Sequence, residues 1–564
     1  MNLSWTKIPK VVVISLVVCS ACVVDKAHTD ERAQYAVVTA NSEATEVGMR
    51  VLASGGSAVD AAVAIQMVLG VVEPQSSGLG GGAIALYRSA RERKIVAFDG
   101  LAKSPASYDP ASSTLVNFSH SGAAVGVPGT MRMLEMMHRR YGRLPWSNLF
   151  ERAIELAYTG FTVSPSLARS LAAASKAGMV APIWLTDGAH KIAAEGANVR
   201  NLELSETLRK IAAEGANAIY ANSAKRISEA VQSSTPPGRV SVDDIATYRP
   251  VERAPLCLEL RQHKICSFPP PSYGGVVVLE ILGILGKLQT KGPAFLDWRF
   301  VHRFIEAGRL AEDDRMTLVG DPDVGPVSVS SLLESSYLTA RAALLQDGVA
   351  LADPIPKAFR PGFSRPDCRQ VEHAPAPSTS QISIVDGSGN ALAMTTTLNV
   401  NFGSWITLGG FFLNDAMTNF AIPADGGCPA NFPSGGKRPE TSMAPVIGMD
   451  TNGNLTLVCG SAGAGEIVDY VAQAVVEILA GRPPAEALDD GHVSTAKASY
   501  PESVGIVELE QGRAIAQLGP QLRALGHKVR VVPLQSGLAV LVRKQGRWEG
   551  AADPRRDGIF ASSR

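Results

Sequence analysis

Between Asp353 and Ser378 the chain carries six prolines in 26 residues and shows no hydrophobic period, so neither a helix nor a central strand runs through that stretch. The linker divides the sequence into a long, mostly helical part and a shorter part that opens on a hairpin. "TSQISIVD", the turn "GSGN" and "ALAMTTTLN" alternate apolar and polar residues, the period of paired strands. A strand that begins on hydroxyl residues directly behind a linker has a bland reading, an exposed strand start, and a chemical one. A threonine hydroxyl can attack the carbonyl of the residue before it, shift the acyl group from N to O, and let water complete a chain break. Here the break falls between Ser378 and Thr379. Thr379 then holds both a nucleophile and, in its freed α-amine, a base of pKa about 8 to activate it.

Upstream of the linker the pattern is helical. "SEATEVGMRVLASGG" ends on glycines, and "SAVDAAVAIQMVLG" restarts with Ser57 as N-cap and alanine-rich packing faces. From about Gly129 to Leu345 the helical period dominates, most clearly in "MRMLEMMHRRYG", "LARSLAAASKAG" and "SETLRKIAAEGAN". "KIAAEGAN" occurs at Lys191 and again at Lys210, and a helix ending on glycine is expected at each; two copies without a third do not make a solenoid. "SSGLGGGAIALY" sets glycines before a strand, the wrong order for a dinucleotide fingerprint. Downstream, a strand pair is expected near Gly409 to Asn414. "NLTLVCG", "SAGAG" and "EIVDYVAQAVVEILAG" then read as strand, glycine-rich turn and helix. Backbone N–H groups at such a turn suit a phosphate or a developing oxyanion; the alternative is a tight packing turn.

Basic and acidic residues number 53 each, the formal net charge is zero and aromatics are sparse, which leaves no nucleic-acid footprint and no acidic tail. A small-molecule or peptide substrate is the expected partner, with no nucleic acid. Lys7 and Lys10, the apolar run Val11 to Val18 and then Cys19-Ser20-Ala21-Cys22 read as an export signal over residues 1–21, its apolar run too short to span a bilayer. Cleavage after Ala21 leaves Cys22 first, the arrangement of a bacterial lipoprotein, although Cys19 is unusual where leucine normally stands. The expectation is an exported protein, periplasmic or secreted, lipid-anchored if Cys22 is acylated. Cys257, Cys266, Cys368, Cys428 and Cys459 show no C-x-x-C pair and no zinc-type histidine spacing, so no metal and no cofactor is expected. Cys257 and Cys266 could face each other across the hairpin "CLELRQHKIC"; five separate buried thiols is the other reading.

Nine motifs in order, "SEATEVGMRVLASGGSAVDAAVA", "VVEPQSSGLGGG", "GVPGT", "SFPPPSYGG", "GDPDV", "TSQISIVDGSGNALAMTTTLN", "GKRPETSMAP", "CGSAGAG" and "ADPRRDG", resemble the γ-glutamyltransferase (glutathione hydrolase) family from about Thr39 to Gly558. The resemblance implies an α+β fold, a four-layer αββα sandwich of N-terminal-nucleophile hydrolase type. It implies a proenzyme that cuts itself into a large subunit, 22–378 including the linker 353–378, and a small catalytic subunit, 379–564, which stay together as a heterodimer. Thr379 matches the family's nucleophile, Thr397 the threonine that supports it, and Asn399 an asparagine that contacts the substrate α-carboxylate. Thr441 and Ser442 match the hydroxyl pair that also binds that carboxylate. Gly463 and Ala464 match the Gly-Gly whose amides form the oxyanion hole, where alanine serves because only N–H is required.

The departures gather at the pocket for the amino acid end of the glutamyl group. Leu101 stands where the family has the arginine that pairs with the α-carboxylate, and Asn419 where it has the aspartate that pairs with the α-ammonium. Ala416 replaces a polar contact residue, Gln381 stands where histidine usually follows the threonine pair, and the segment from Phe420 to Lys437 is short beside members with a long lid loop. Lys103 is near in sequence but as a point charge does not reproduce an arginine fork. The leading reading is a self-processing amidohydrolase/transferase for glutathione-like γ-glutamyl amides, with an acyl-enzyme on Thr379 and water or an amino acid as acceptor. Leu101 and Asn419 feed an alternative, an acylase for a glutaryl-type, β-lactam side-chain or oxamate-like amide. A third reading is a non-catalytic binding relative.

Overall fold

The structure, a computed structural model, describes Met1 and residues 34–108, 120–187, 191–288, 297–325, 329–352, 378–421, 430–495 and 505–563. The chain divides into Met1–Arg32 and Ala33–Arg564, and both central sheets belong to the second unit. The export signal with Cys22, the linker up to residue 377, Cys368 and Cys428 lie outside the described residues.

Strand-forming segments with alternating apolar residues assemble into these two sheets. In chain order the strands are β1 (Ala36–Thr39), β2 (Gly82–Ser89), β3 (Lys94–Gly100), β4 (Val251–Arg253), β5 (Leu256–Leu260), β6 (His263–Ser267), β7 (Ser380–Val385), β8 (Ala391–Thr397), β9 (Val446–Asp450), β10 (Leu455–Gly460), β11 (Ala539–Lys544), β12 (Arg547–Ala552) and β13 (Phe560–Ser562). One sheet runs β13-β1-β7-β8-β2-β3-β4 and the other β12-β11-β10-β9-β6-β5. Neighbours in both are antiparallel. Strand β7 is held on both edges, Ile382 opposite Thr39 of β1 and Ser380 opposite Thr396 of β8.

Alternation along the strands explains the layering. Ile382, Ile384, Leu392 and Met394 face α1 (Ser42–Ala53) and α2 (Ala58–Val72). Ile84, Leu86, Val385 and Ala393 meet Cys266, Ile447, Val458 and Leu541 of the second sheet. The outer face of that sheet packs Val446, Leu457 and Val540 against α3 (Gly274–Lys287), α4 (Trp298–Leu318) and α5 (Ile467–Leu479). The result is the expected four-layer αββα sandwich. Ser57 caps α2 in a reciprocal capping box with Asp60, and every residue of that helix except Gly70 is buried, as an all-apolar helix requires.

Of the two KIAAEGAN copies, the one at Lys210 does end a helix, Leu202–Glu214. The copy at Lys191 does not: its backbone is drawn into turn and bridge contacts, Asp187 N–H to Lys191 O, Ala193 N–H to Leu185 O and Gly196 N–H to Val163 O, so tertiary pairing overrides a propensity identical in the two copies. Cys257 and Cys266 sit directly opposite on β5 and β6 and are bonded. Cys459 is free and buried, its thiol pushed up to about 12 by burial.

Candidate active site

Thr379 stands immediately before β7, with Ser378 buried behind it. Its φ is +117°, a region costly for a β-branched residue and tolerated where the surroundings over-determine it. They do so here. Ser378 Oγ donates to the carbonyls of Gln75 at 2.8 Å and Ser76 at 3.0 Å, while β7 is fixed between β1 and β8 one residue later. Thr379 Oγ1 donates to Thr397 Oγ1 at 2.9 Å, and that oxygen also accepts the Asn399 N–H at 2.8 Å. The last residue of β8 thus aims the first hydroxyl ahead of β7. Asn399, also at positive φ, donates its side-chain amide to Thr418 Oγ1 at 3.0 Å.

The glycine-rich turn leaves β10 at Gly460, against which the Gln381 side chain packs. Gln381, at the position expected for histidine, is buried and accepts from Thr395 Oγ1 at 2.7 Å. Gly463 has φ +135° and Ala464 φ +56°, so the alanine occupies the left-handed region that usually takes glycine. Ser442 Oγ donates to Ala464 O at 2.5 Å, which ties the hydroxyl pair to this turn. Thr441 O accepts from Tyr273 N–H at 2.9 Å and Ser272 Oγ at 3.1 Å. The chain passes so close that a Cβ on Gly274 would lie 2.1 Å from Ser442 O.

Leu101, Thr397, Asn399, Ala416, Asn419 and Thr441 line one cleft. Its free volume is about 20 Å³, room for little more than one water. Thr379, Ser378, Ser442, Gly463 and Ala464 are not in its wall; Thr397 connects the cleft to Thr379. Leu101 is buried, and Lys103 does not line the cleft: its backbone pairs with Val127 and its charge acts on Asp323. Of the segment 420–437, residues 422–429 lie outside the described residues.

Three acids escaped the sequence reading. Glu440 lines the cleft and bonds Arg315 Nη1 at 2.5 Å; Arg315 also pairs with Glu312 and lies 4.0 Å from the Tyr273 ring centroid. Asp415 is fully buried, accepts from Val400 N–H at 3.1 Å through one oxygen and has no partner for the other; burial pushes it up to about 7, against the hydrogen bonds from Val400 and Asn399. Glu73 lies behind β7, its carboxylate accepting from Ser380 Oγ at 3.3 Å. Glu440 and Glu73 sit inside two of the nine motifs, "GKRPETSMAP" and "VVEPQSSGLGGG", beside the hydroxyls and glycines that carry the resemblance. One metal-type trio occurs among the described residues, His302, Glu306 and His527. His302 Nδ1 and His527 Nε2 are 2.7 Å apart, a shared proton; two tetrahedral ligands with bonds of about 2.0 Å stand more than about 3 Å apart.

A threonine at the head of a central strand in a four-layer antiparallel sandwich, with its hydroxyl held by a second threonine, places the chain among N-terminal-nucleophile hydrolases in fold. The gamma-glutamyltranspeptidase family model matches residues 44–563. The glutathione hydrolase proenzyme of Escherichia coli (strain K12) is 31% identical over 560 residues, covering 94% of this chain and 92% of that protein. Among solved structures, a cephalosporin acylase from Bacillus halodurans superposes with a TM-score of 0.80 at 24% identity over 94% of this chain and 95% of that one, a likeness of fold. A gamma-glutamyltranspeptidase from Helicobacter pylori gives a TM-score of 0.51 at 29% identity, over 57% of this chain and 93% of that one. The chain belongs to the gamma-glutamyltranspeptidase family and is an enzyme.

Proposed function

We propose that the protein is an exported proenzyme that cuts itself between Ser378 and Thr379, and that its new terminal threonine then hydrolyses or transfers the acyl group of a γ-glutamyl-type amide. The observation that carries this is the 2.9 Å bond from Thr379 Oγ1 to Thr397 Oγ1 directly behind a buried Ser378. In the first reaction Thr379 Oγ adds to the Ser378 carbonyl carbon, the C–N bond breaks and the hydroxyl proton ends on the threonine nitrogen. Water then displaces Oγ from the ester, leaving a Ser378 carboxylate and a free Thr379 amine. In turnover the amine accepts the hydroxyl proton as Oγ attacks the substrate carbonyl and returns it to the leaving nitrogen. Water or an amino acid then takes the acyl group from Oγ. Thr397 orients the nucleophile, and the amides of Gly463 and Ala464 face the developing oxyanion. Leu101, Asn399, Asn419, Thr441 and Ser442 receive the acyl group. The pieces 22–378 and 379–564 stay paired as large and small subunits.

A specific observation favours a second reading of the substrate. No lysine or arginine lines the cleft among the described residues, and Leu101 presents an apolar wall, so an acyl group without the amino acid end, of the glutaryl, β-lactam side-chain or oxamate type, meets fewer unmet demands there. Intact mass of the purified protein tests the processing: a fragment from Thr379 to Arg564 is expected, and an uncut yet active chain would overturn it. Rates on γ-glutamyl-, glutaryl- and oxamate-type amides then separate the two substrate readings. A single uncut chain inactive on all of them would leave a binding relative. Labelling with palmitate tests lipid on Cys22; unlabelled protein in the periplasmic fraction would leave export alone.

A further inference from the structure

The helix-facing side of β7 meets a polar region that neither cleavage nor turnover has so far used. Glu73 caps the end of α2 and is wholly buried; its Oε2 accepts from Ser380 Oγ at 3.3 Å, and its Oε1 has no partner. The side-chain amide of Gln75, Ser76 Oγ and Thr396 Oγ1 are likewise buried without partners. On the C-terminal segment, Arg556 donates Nε to Ser536 O at 3.2 Å, while its Nη2 is buried and unpaired. A Cβ on Gly537 would lie 3.4 Å from Arg556 Nε and 2.7 Å from the Ala462 side chain, which places the guanidinium beside the glycine-rich turn. Burial pushes Glu73 up to about 7, with Arg556 opposing and Asp557 adding to the rise. The two opposite charges therefore sense each other, yet no ion pair joins them among the described residues. Unneutralised charges in a water-poor region act over several ångströms on an ionisable group that appears near them.

Cleavage makes such a group. Hydrolysis of the Ser378–Thr379 bond turns the Thr379 nitrogen into an amine, next in the chain to the serine whose Oγ holds the Gln75 and Ser76 carbonyls in the uncut protein. We propose that Glu73 and Arg556 are positioning residues that form an opposed pair setting the basicity of the α-amine freed at Thr379. The carboxylate favours the ammonium, and the guanidinium favours the neutral amine that must accept the hydroxyl proton. This rests on the reading of Thr379 as a self-freed nucleophile. Asp557, Ser76 and Ser380 face Glu73; Asp415, Glu440 and Glu466 belong to the elements around the other side of the site, and all of these are left unchanged in the variants that test the pair.

The processed protein is labelled with limiting acetic anhydride across a pH series, and acetylation of the Thr379 α-amine is read by peptide mass. The kcat/KM profile for γ-glutamyl-p-nitroanilide is measured alongside. Glu73→Gln should move the amine titration, and the rising limb of the profile, down by about one pH unit. Arg556→Gln should move both up by about one unit, and Arg556→Lys should track the wild type. General loosening of the site cannot shift the two in opposite directions. Unshifted titrations, or shifts of the same sign, overturn the proposal. If Glu73→Gln is not cut, Arg556→Gln against Arg556→Lys decides alone: the first must rise and the second must not. Labelling needs no turnover, so processed wild type that leaves the anilide intact would remove the γ-glutamyl reading while the amine titration still decides the inference.

Discussion

At the scale of single residues, the proposed mechanism gives the hydroxyl of Thr379 one task in self-cleavage and another in turnover, so substitutions there should separate by chemistry. Thr379→Ala is expected to stay one chain by intact mass, and Thr379→Ser, which keeps the hydroxyl, should still be cut. An ammonium and a carboxylate on one carbon need charges of both signs a few ångströms apart, and Leu101 and Asn419 supply neither. Leu101→Arg together with Asn419→Asp should raise kcat/KM for γ-glutamyl-p-nitroanilide about tenfold or more, given roughly 2–5 kcal/mol for a desolvated charge contact. A wild type with micromolar KM that the double variant does not improve would show that other residues bind the amino acid end. Asp415 gives a prediction of sign. Its ordinary carboxyl value is 3.8 and burial raises it to about 7 in the fold, so between pH 4 and 7 the folded state holds a proton that the unfolded state has lost. Stability from this group is present at pH 4 and is lost as pH rises to 7. Asp415→Asn should raise Tm relative to wild type at pH 8 and leave it little changed at pH 4; equal effects at both would mean that the carboxyl is not raised. That Thr379 meets Thr397, and that Thr397, Asn399 and Thr441 line one cleft, was legible because a motif fixes residue type and spacing. Glu73, Asp415 and Glu440 were not, because the burial that makes them chemically unusual comes from helices and strands far away in sequence.

At the scale of elements, strand β7 and its hairpin, the capped helix α2 and the strand-turn-helix around Gly463 were readable from periodicity and caps, signals that are local. The two KIAAEGAN copies mark the limit: one sequence, one helix and one turn, decided by different tertiary partners, Leu185 and Val163 for the first copy against the apolar face of Leu202–Glu214 for the second. The disulfide needed the register of β5 on β6, which the sequence left open between two readings. The turn after β10 carries its own test. Ala464 at φ +56° bears a left-handed penalty of roughly 1–2 kcal/mol, partly offset by the lower entropy of an unfolded chain with alanine, about 0.4–1 kcal/mol. Ala464→Gly should therefore be neutral to stabilising by about 1 kcal/mol in urea unfolding, with activity preserved if only the amide serves. A clear loss of stability would mean that the methyl group packs usefully there.

At the scale of the whole molecule, the proposed cut after Ser378 would not fall between two bodies. In the first sheet β7 and β8, which follow residue 378, lie between β1 and β2, which precede it, and β13 closes the edge beyond β1; in the second, β6 and β5 from before residue 378 extend a sheet of strands from after it. Cleavage there would therefore leave every strand pair in place. The processed protein should elute as one species on gel filtration at micromolar dilution and separate into two pieces only under denaturant; dissociation on dilution alone would show that the shared sheets do not hold. Interleaving also bears on how such a gene can be inherited. A large fragment made alone would present a first sheet lacking β7 and β8, and a small fragment would hold β7–β8 and β9–β12 without β1, β2 and β6 beside them, so neither piece contains a whole sheet. On the proposed mechanism, a gene interrupted at codon 379 would have to assemble these sheets from two separate chains, whereas the same break made later in the folded protein costs no sheet pairing.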